Sequence, residues 1–252
     1  ERLILRSGKG VTGRLIAVGF PLVPEDRAEA ACAECPFKNA EKVCIAPGGK
    51  HPQTCPTVNQ EAVLAAAMAE YAKPEIGAFA RNASIQEGEG YADRDRGYAS
   101  VRPVKPRILE IAEFARRMGY TRLGLIFCAG LVLEGKRVGA FYREKGFEVV
   151  SAICKVGQVP KEKVGLKDEE KITAGRHESI CNPIAQAMLM NSAKTQLNIL
   201  VGLCVGHDSM VFKYSEAPCT VLAAKDRLFG HNPLAAVYTL DSYYRYLKQP
   251  LE

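Results

Sequence analysis

Leu197-Asn-Ile-Leu-Val-Gly-Leu-Cys-Val-Gly-His-Asp208 is a short apolar run that ends in a cysteine and then a Gly-His-Asp turn. Two earlier stretches share that form, Leu123-Gly-Leu-Ile-Phe-Cys128 and Phe147-Glu-Val-Val-Ser-Ala-Ile-Cys154. A fourth run, Thr220-Val-Leu-Ala-Ala224, leads into Lys225 and Asp226. Short runs that are apolar throughout suit strands covered on both faces, the usual condition of a parallel sheet. Helical patterns separate them: about 106–118, with Ile108, Ile111, Ala112 and Ala115 on one face, about 131–145, and a helix opening near Cys181-Asn-Pro183. Strands alternating with helices predict right-handed crossovers between parallel neighbours. The expected architecture is α/β: a Rossmann-like parallel sheet of four or five strands with helices on both faces, over residues 103–252.

Upstream of that domain, residues 58–102 read as helix and connecting loop. The Ala-rich stretch from Glu61 to Glu70 is dense in helix formers and Pro74 should break or restart it. Residues 82–102 are polar and Gly-rich and read as loop. Residues 32–57 form a small module rich in Cys, Pro and Gly with almost no hydrophobic periodicity, so burial alone cannot fold it and a metal is the expected staple. Residues 1–31 are an N-terminal extension without an assigned role.

The 252 residues carry 34 Lys and Arg against 28 Asp and Glu, a formal charge of +6. The basic residues are scattered among acids, without interleaved aromatics, which argues against a nucleic-acid partner. No apolar run is long enough to cross a membrane and no signal-peptide pattern is visible, so the expectation is a cytoplasmic protein. Oligomeric state is not legible. Nine cysteines is many for this length; an odd count without an export signal favours metal or redox chemistry over disulfides.

The cysteines fall into two groups. Cys32, Cys35, Cys44 and Cys55 lie within two dozen residues, and the Cys-x-x-Cys pair can clasp one site that the other two complete. A zinc ribbon would show two close pairs. Here one pair is close, and Pro follows Cys35 and Cys55 as in ferredoxin-type runs, which favours a four-iron cluster with zinc as the alternative. His51 reads as a surface-loop residue. The second group is set by topology. Cys128, Cys154 and Cys204 each end a predicted strand, and Cys181 opens a helix expected to start at the same edge, where ligands bind in open parallel sheets. A helix N-terminus also favours thiolate, the metal-binding form. Cys219 precedes its strand, belongs at the opposite edge and reads as structural. His207, His231 and Lys155 converge on the thiol edge and are the candidate catalytic residues, the histidines for protons and Lys155 for an anion. A nucleotide site is disfavoured because Cys-Ala-Gly-Leu, not a Gly-x-Gly-x-x-Gly loop, follows the first strand.

Read together, Cys32-Ala-Glu-Cys35, Phe127-Cys-Ala-Gly-Leu131, Cys154-Lys-Val-Gly157, Cys181-Asn-Pro183, Gly202-Leu-Cys-Val-Gly-His-Asp-Ser209, Lys213-Tyr-Ser215, Lys225-Asp-Arg227 and Gly230-His-Asn-Pro233 resemble a family labelled predicted metal-binding protein, found mainly in anaerobic prokaryotes. The resemblance covers about residues 32–245, and Gly-Leu-Cys-Val-Gly-His-Asp is its most specific motif. It implies metal binding through the matching cysteines and names no reaction. The functional expectation is an iron–sulfur protein with two [4Fe-4S] sites, a redox enzyme or electron carrier acting on a small substrate or a redox partner protein. The alternative is a zinc-binding, non-enzymatic carrier, scaffold or redox sensor.

Overall fold

A computed structural model describes residues 29–251. The chain folds as two compact units, Glu1–Ala80 and Arg81–Glu252. Most of the predicted N-terminal extension, residues 1–28 of 1–31, lies outside the described residues.

In the first unit the Cys-rich segment is built from tight turns. A 3-10 turn over Cys32–Glu34 is closed by the Cys35 N–H on the Cys32 carbonyl, and a bridge joins Lys42 to Lys50. Three helices follow: α1 (Pro56–Asn59), α2 (Glu61–Tyr71) and α3 (Pro74–Glu89), whose residues from Arg81 onward belong to the second unit. Pro56 and Pro74 each open a helix, where the missing N–H costs nothing. Helix α3 runs eight residues into the stretch read from sequence as loop, residues 82–102. Its polar residues find partners instead of water. Gln86 Nε2 donates to Glu113 at 2.8 Å and Arg117 donates to Glu89 at 2.6 Å. The remainder of that stretch pairs β1 (Tyr91–Ala92) antiparallel to β2 (Arg102–Pro103) in a separate two-stranded sheet.

The main sheet follows: α4 (Arg107–Arg117), β3 (Arg122–Phe127), α5 (Val132–Glu144), β4 (Glu148–Ile153), α6 (Pro183–Ser192), β5 (Leu197–Leu203), α7 (His207–Tyr214), β6 (Cys219–Ala224) and the short α8 (Leu234–Tyr238). Its four strands are parallel in the order β4-β3-β5-β6. Counting these strands alone the order is 2-1-3-4, that of a doubly wound sheet whose switch point falls between β3 and β5. The period-two alternation of a strand sends Leu123, Leu125, Leu197, Ile199 and Val201 to one face, against Ile111 and Ala115 of α4 and Val138 and Tyr142 of α5. Ile126, Ala152 and Leu200 pack on the other face with Met190 of α6 and Val211 of α7. Every residue of β5 is buried, as a central strand covered on both faces requires.

The end of β5 breaks this alternation. Gly202 has φ +65°, and the register with β6 shifts between Val201 and Leu203. The bulge turns Leu203 to the face of Leu200, and an added Cβ at 202 would sit 2.0 Å from Leu131 Cδ1. Glycine is required here both by conformation and by the close approach of Leu131.

Candidate functional site

All four expected sheet-edge cysteines sit at the carboxyl end of the main sheet. Cys128 follows β3 and is tied to β5 by its N–H on the Val201 carbonyl at 3.2 Å. Cys154 follows β4 and donates its N–H to the Phe127 carbonyl at 2.9 Å. Cys181 returns to the same place after a long connection. Asn182 closes that excursion with its N–H on the Cys154 carbonyl at 2.7 Å, while its side chain caps α6 through the Ala185 N–H. The connection itself is stiffened by ion pairs, Lys161 with Glu178 and Lys171 with Glu162 and Asp168.

Cys128 and Cys154 are buried in the core cluster on the α6–α7 face, and Cys181 packs against that cluster. The thiols of Cys154 and Cys181 share a hydrogen bond. Main-chain donors point at two of the sulfurs: the Ala129 N–H lies 3.2 Å from Cys154 Sγ and the Gly130 N–H lies 3.4 Å from Cys128 Sγ. Of the hydrogen-bonded pair, Cys181 ionises first. The Cys154 thiol donates to its sulfur, and Lys155 and His207 add positive charge, pushing it down to about 5 despite partial burial. Cys154 is pushed up by that same hydrogen bond and by burial, so it keeps its proton.

Cys204 takes a different partner. It ends β5 at the same edge, but its sulfur accepts from Arg227 Nη2 at 3.0 Å. Of the predicted catalytic residues, Lys155 donates to the Ser179 carbonyl at 2.5 Å and lies beside Cys181, and His207 opens α7 with its charge felt at Cys181. His231 does loop work. At φ +67°, its Nδ1 accepts the Asp226 N–H at 3.2 Å and its own N–H bonds the Asp226 carbonyl, locking the turn after β6. Cys219 is the first residue of β6 rather than a residue before it, paired with Asn198 at the far edge, and burial raises its pKa.

Two participants were not singled out from sequence. Gln186 is fully buried in α6 and its Nε2 bridges the carbonyls of Phe127 and Ala152, holding together the ends of β3 and β4 that carry Cys128 and Cys154. Arg227 reaches Cys204 from the turn after β6. It stands in the quoted Lys225-Asp-Arg227 segment, but nothing local assigns it to a thiol; only the neighbouring of β3 with β4 and of β5 with β6 brings the two residues in.

In the first unit, Cys32, Cys35, Cys44 and Cys55 line one cavity of about 80 Å³ together with Lys42 and Lys50. His51 is exposed, its Nδ1 3.4 Å from the Pro52 carbonyl. None of the nine cysteines is in a disulfide. Among the described residues no group of three or more His, Cys, Asp or Glu is arranged to hold a metal ion as the side chains stand, and no helix is long and apolar enough to cross a membrane.

These features define a doubly wound α/β protein whose sheet edge is lined with thiols and cations. The chain belongs to the family described as protein of unknown function (DUF1847), whose model matches residues 55–222. It is 42% identical over 183 residues to the uncharacterized protein MJ0455 of Methanocaldococcus jannaschii, an alignment covering 73% of this chain and 85% of the relative. No solved structure matches it.

Proposed function

We propose that the chain is a cytoplasmic iron–sulfur protein with two [4Fe-4S] sites, one in the Cys32–Cys55 segment and one at the sheet edge. There it acts as a redox enzyme or electron carrier on a small substrate or a redox partner protein. One observation carries this reading: Cys128, Cys154 and Cys181 come from three distant segments yet join the same core cluster, Cys154 and Cys181 hydrogen-bonded, with main-chain N–H groups aimed at the sulfurs of Cys128 and Cys154. Thiolate donors suit iron–sulfur clusters, and hydrogen bonds to sulfur together with burial are the means by which a protein tunes them. The first group supports the same chemistry. Zinc needs its four sulfurs about 2.3 Å from a single point, whereas a cluster takes each thiolate on a separate iron, so ligands arranged around a cavity suit it better. Nine free thiols fit a reducing compartment.

A bound cluster supplies single-electron transfer. The residues of this chain supply the setting. Lys155 and His207 offset the negative charge of Cys181, Gln186 holds the strand ends in register, and His207 is placed to hold a proton at the open side of the edge. Protein purified without oxygen is expected to carry about eight iron atoms with matching sulfide and visible charge-transfer absorption. Iron near zero, both on isolation and after reconstitution with iron and sulfide, ends the reading.

A second reading, a non-enzymatic zinc-binding carrier, scaffold or redox sensor, is favoured by the shared hydrogen bond of Cys154 and Cys181. That pair sets a thiol beside a thiolate, ready to form a disulfide when an oxidant takes two electrons. It predicts colourless protein containing zinc, in which diamide links residues 154 and 181 by peptide mass mapping.

A further inference from the structure

Cys154 and Cys181 stand at the two ends of one excursion. The chain leaves the sheet at Cys154, runs through residues 155–180 and is back against its starting point at Cys181. The return is clasped around the thiols. The Asn182 N–H donates to the Cys154 carbonyl at 2.7 Å and Asn182 Nδ2 to the Val156 carbonyl at 3.4 Å. Lys155 Nζ donates to the Ser179 carbonyl at 2.5 Å, and the Ile180 N–H to the Val159 carbonyl at 2.8 Å. Contacts of the chain itself therefore keep the two sulfurs within hydrogen-bond reach of each other.

Access to the sulfurs is unequal. Cys154 is 2% exposed and Cys128, buried in the same core cluster, 9%, whereas Cys181 is partly exposed. Cys204 is partly exposed too, but its sulfur is engaged by Arg227. Thiol–disulfide exchange is the attack of one sulfur on another, and access decides which sulfur takes part first. A disulfide arriving from solvent can meet Cys181 and is kept from Cys154. Cys154 in turn can meet a sulfur only when its neighbour carries one.

We propose that Cys181 is the attacking and Cys154 the resolving cysteine of a dithiol–disulfide pair that closes when the sheet-edge site is empty of metal. Cys181 attacks one sulfur of a small disulfide such as oxidised glutathione and displaces one thiol. Cys154 then attacks the Cys181 sulfur of the mixed disulfide, gives up its proton and displaces the second thiol. The pair loses two electrons and two protons, and the small disulfide takes up both as it becomes two thiols. Closure and metal loading exclude each other, because both need the same two sulfurs. That exclusivity rests on the proposed cluster; the order of attack needs only the two thiols.

The order is tested by treating metal-stripped, full-length protein with oxidised glutathione and mapping residues 154 and 181 by peptide mass spectrometry. Wild-type protein should give a 154–181 disulfide and no lasting glutathione adduct at either residue. Cys154→Ala should leave glutathione trapped on Cys181, and Cys181→Ala should leave Cys154 without an adduct, with circular dichroism confirming both folds. A lasting adduct on Cys181 of the wild type, a 128–154 disulfide in place of 154–181, or glutathione on Cys154 overturns the assignment, and the wild-type map decides it whether or not the variants fold. In Cys32→Ala/Cys35→Ala, where only the sheet-edge site should load, protein carrying iron should resist the same treatment until a chelator removes the iron. A 154–181 disulfide formed with the iron retained overturns the exclusivity. Protein that takes up no iron even when fully reduced ends the cluster reading and the exclusivity with it, while the peptide maps still decide the order of attack.

Discussion

At the scale of single residues the thiols are legible in part. Cys128, Cys154 and Cys204 end predicted strands and are found at the strand ends, because a residue that follows a parallel strand has nowhere else to go. Contacts are less legible. Nothing local in the sequence says that Cys204 faces Arg227 while Cys181 faces Cys154. The consequence is chemical inequality among cysteines that look alike in sequence. With the Cys154 thiol donating to it and Lys155 and His207 beside it, Cys181 is a thiolate above about pH 5. In metal-free protein its alkylation by iodoacetamide should therefore be nearly flat from neutral pH down to about 6 and slow only as pH falls through about 5. Cys154, pushed up by the same hydrogen bond and by burial, should stay unreactive at neutral pH. Lys155→Met removes positive charge and should shift the Cys181 profile to higher pH. An unshifted profile, read by mass spectrometry of the labelled peptide, would separate Lys155 from the thiol. Gly202→Ala tests the bulge: with φ +65° and a contact of 2.0 Å to Leu131, it should cost about 2–4 kcal/mol in urea unfolding.

Elements were legible where burial sets their period. The strands of the main sheet and α4–α6 are sheathed in apolar contacts, so their patterns are strong. Residues 82–89 read as loop because their composition is polar and Gly-rich, yet they are helical. Polarity there reflects pairing with α4 rather than solvent: Gln86 and Lys105 both reach Glu113, and Arg117 reaches Glu89. A partner many residues away overrides a local signal that has no access to it. The same pairing predicts a pH effect. The Lys105 ammonium at 2.7 Å holds the Glu113 carboxyl below the ordinary carboxylate range, a shift that burial only partly opposes. A carboxyl with a lowered folded pKa stabilises the fold above its unfolded pKa, and that contribution is lost as pH falls through the folded value. Both partners are partly exposed, so the effect is small, under about 1 kcal/mol. Glu113→Gln should thus be less stable than the parent at neutral pH, with the gap closing toward pH 3. A gap independent of pH in thermal melts would mean that the carboxylate charge contributes nothing.

On the scale of the whole molecule, two cysteine groups sit in two separate compact units, and each group has its own architecture. The first is four cysteines from neighbouring turns that line one cavity, a short-range arrangement that spacing alone announces. The second is assembled by the crossover topology of the sheet, so its thiols lie up to 76 positions apart in sequence (128 to 204) and gather only because successive parallel strands end side by side. If both hold clusters, the different origins predict independent loading, since neither set of ligands borrows a residue from the other. Cys32→Ala/Cys35→Ala should remove about half of the iron and leave the remainder spectroscopically intact, and Cys128→Ala/Cys154→Ala should remove the complementary half, about four atoms in each case. The second variant also loses buried sulfur from the core, so its fold needs checking by circular dichroism, whereas the first touches half-exposed or exposed residues only. Loss of all iron from either folded variant would show that the two groups depend on each other, and the picture of two self-contained sites would have to be given up.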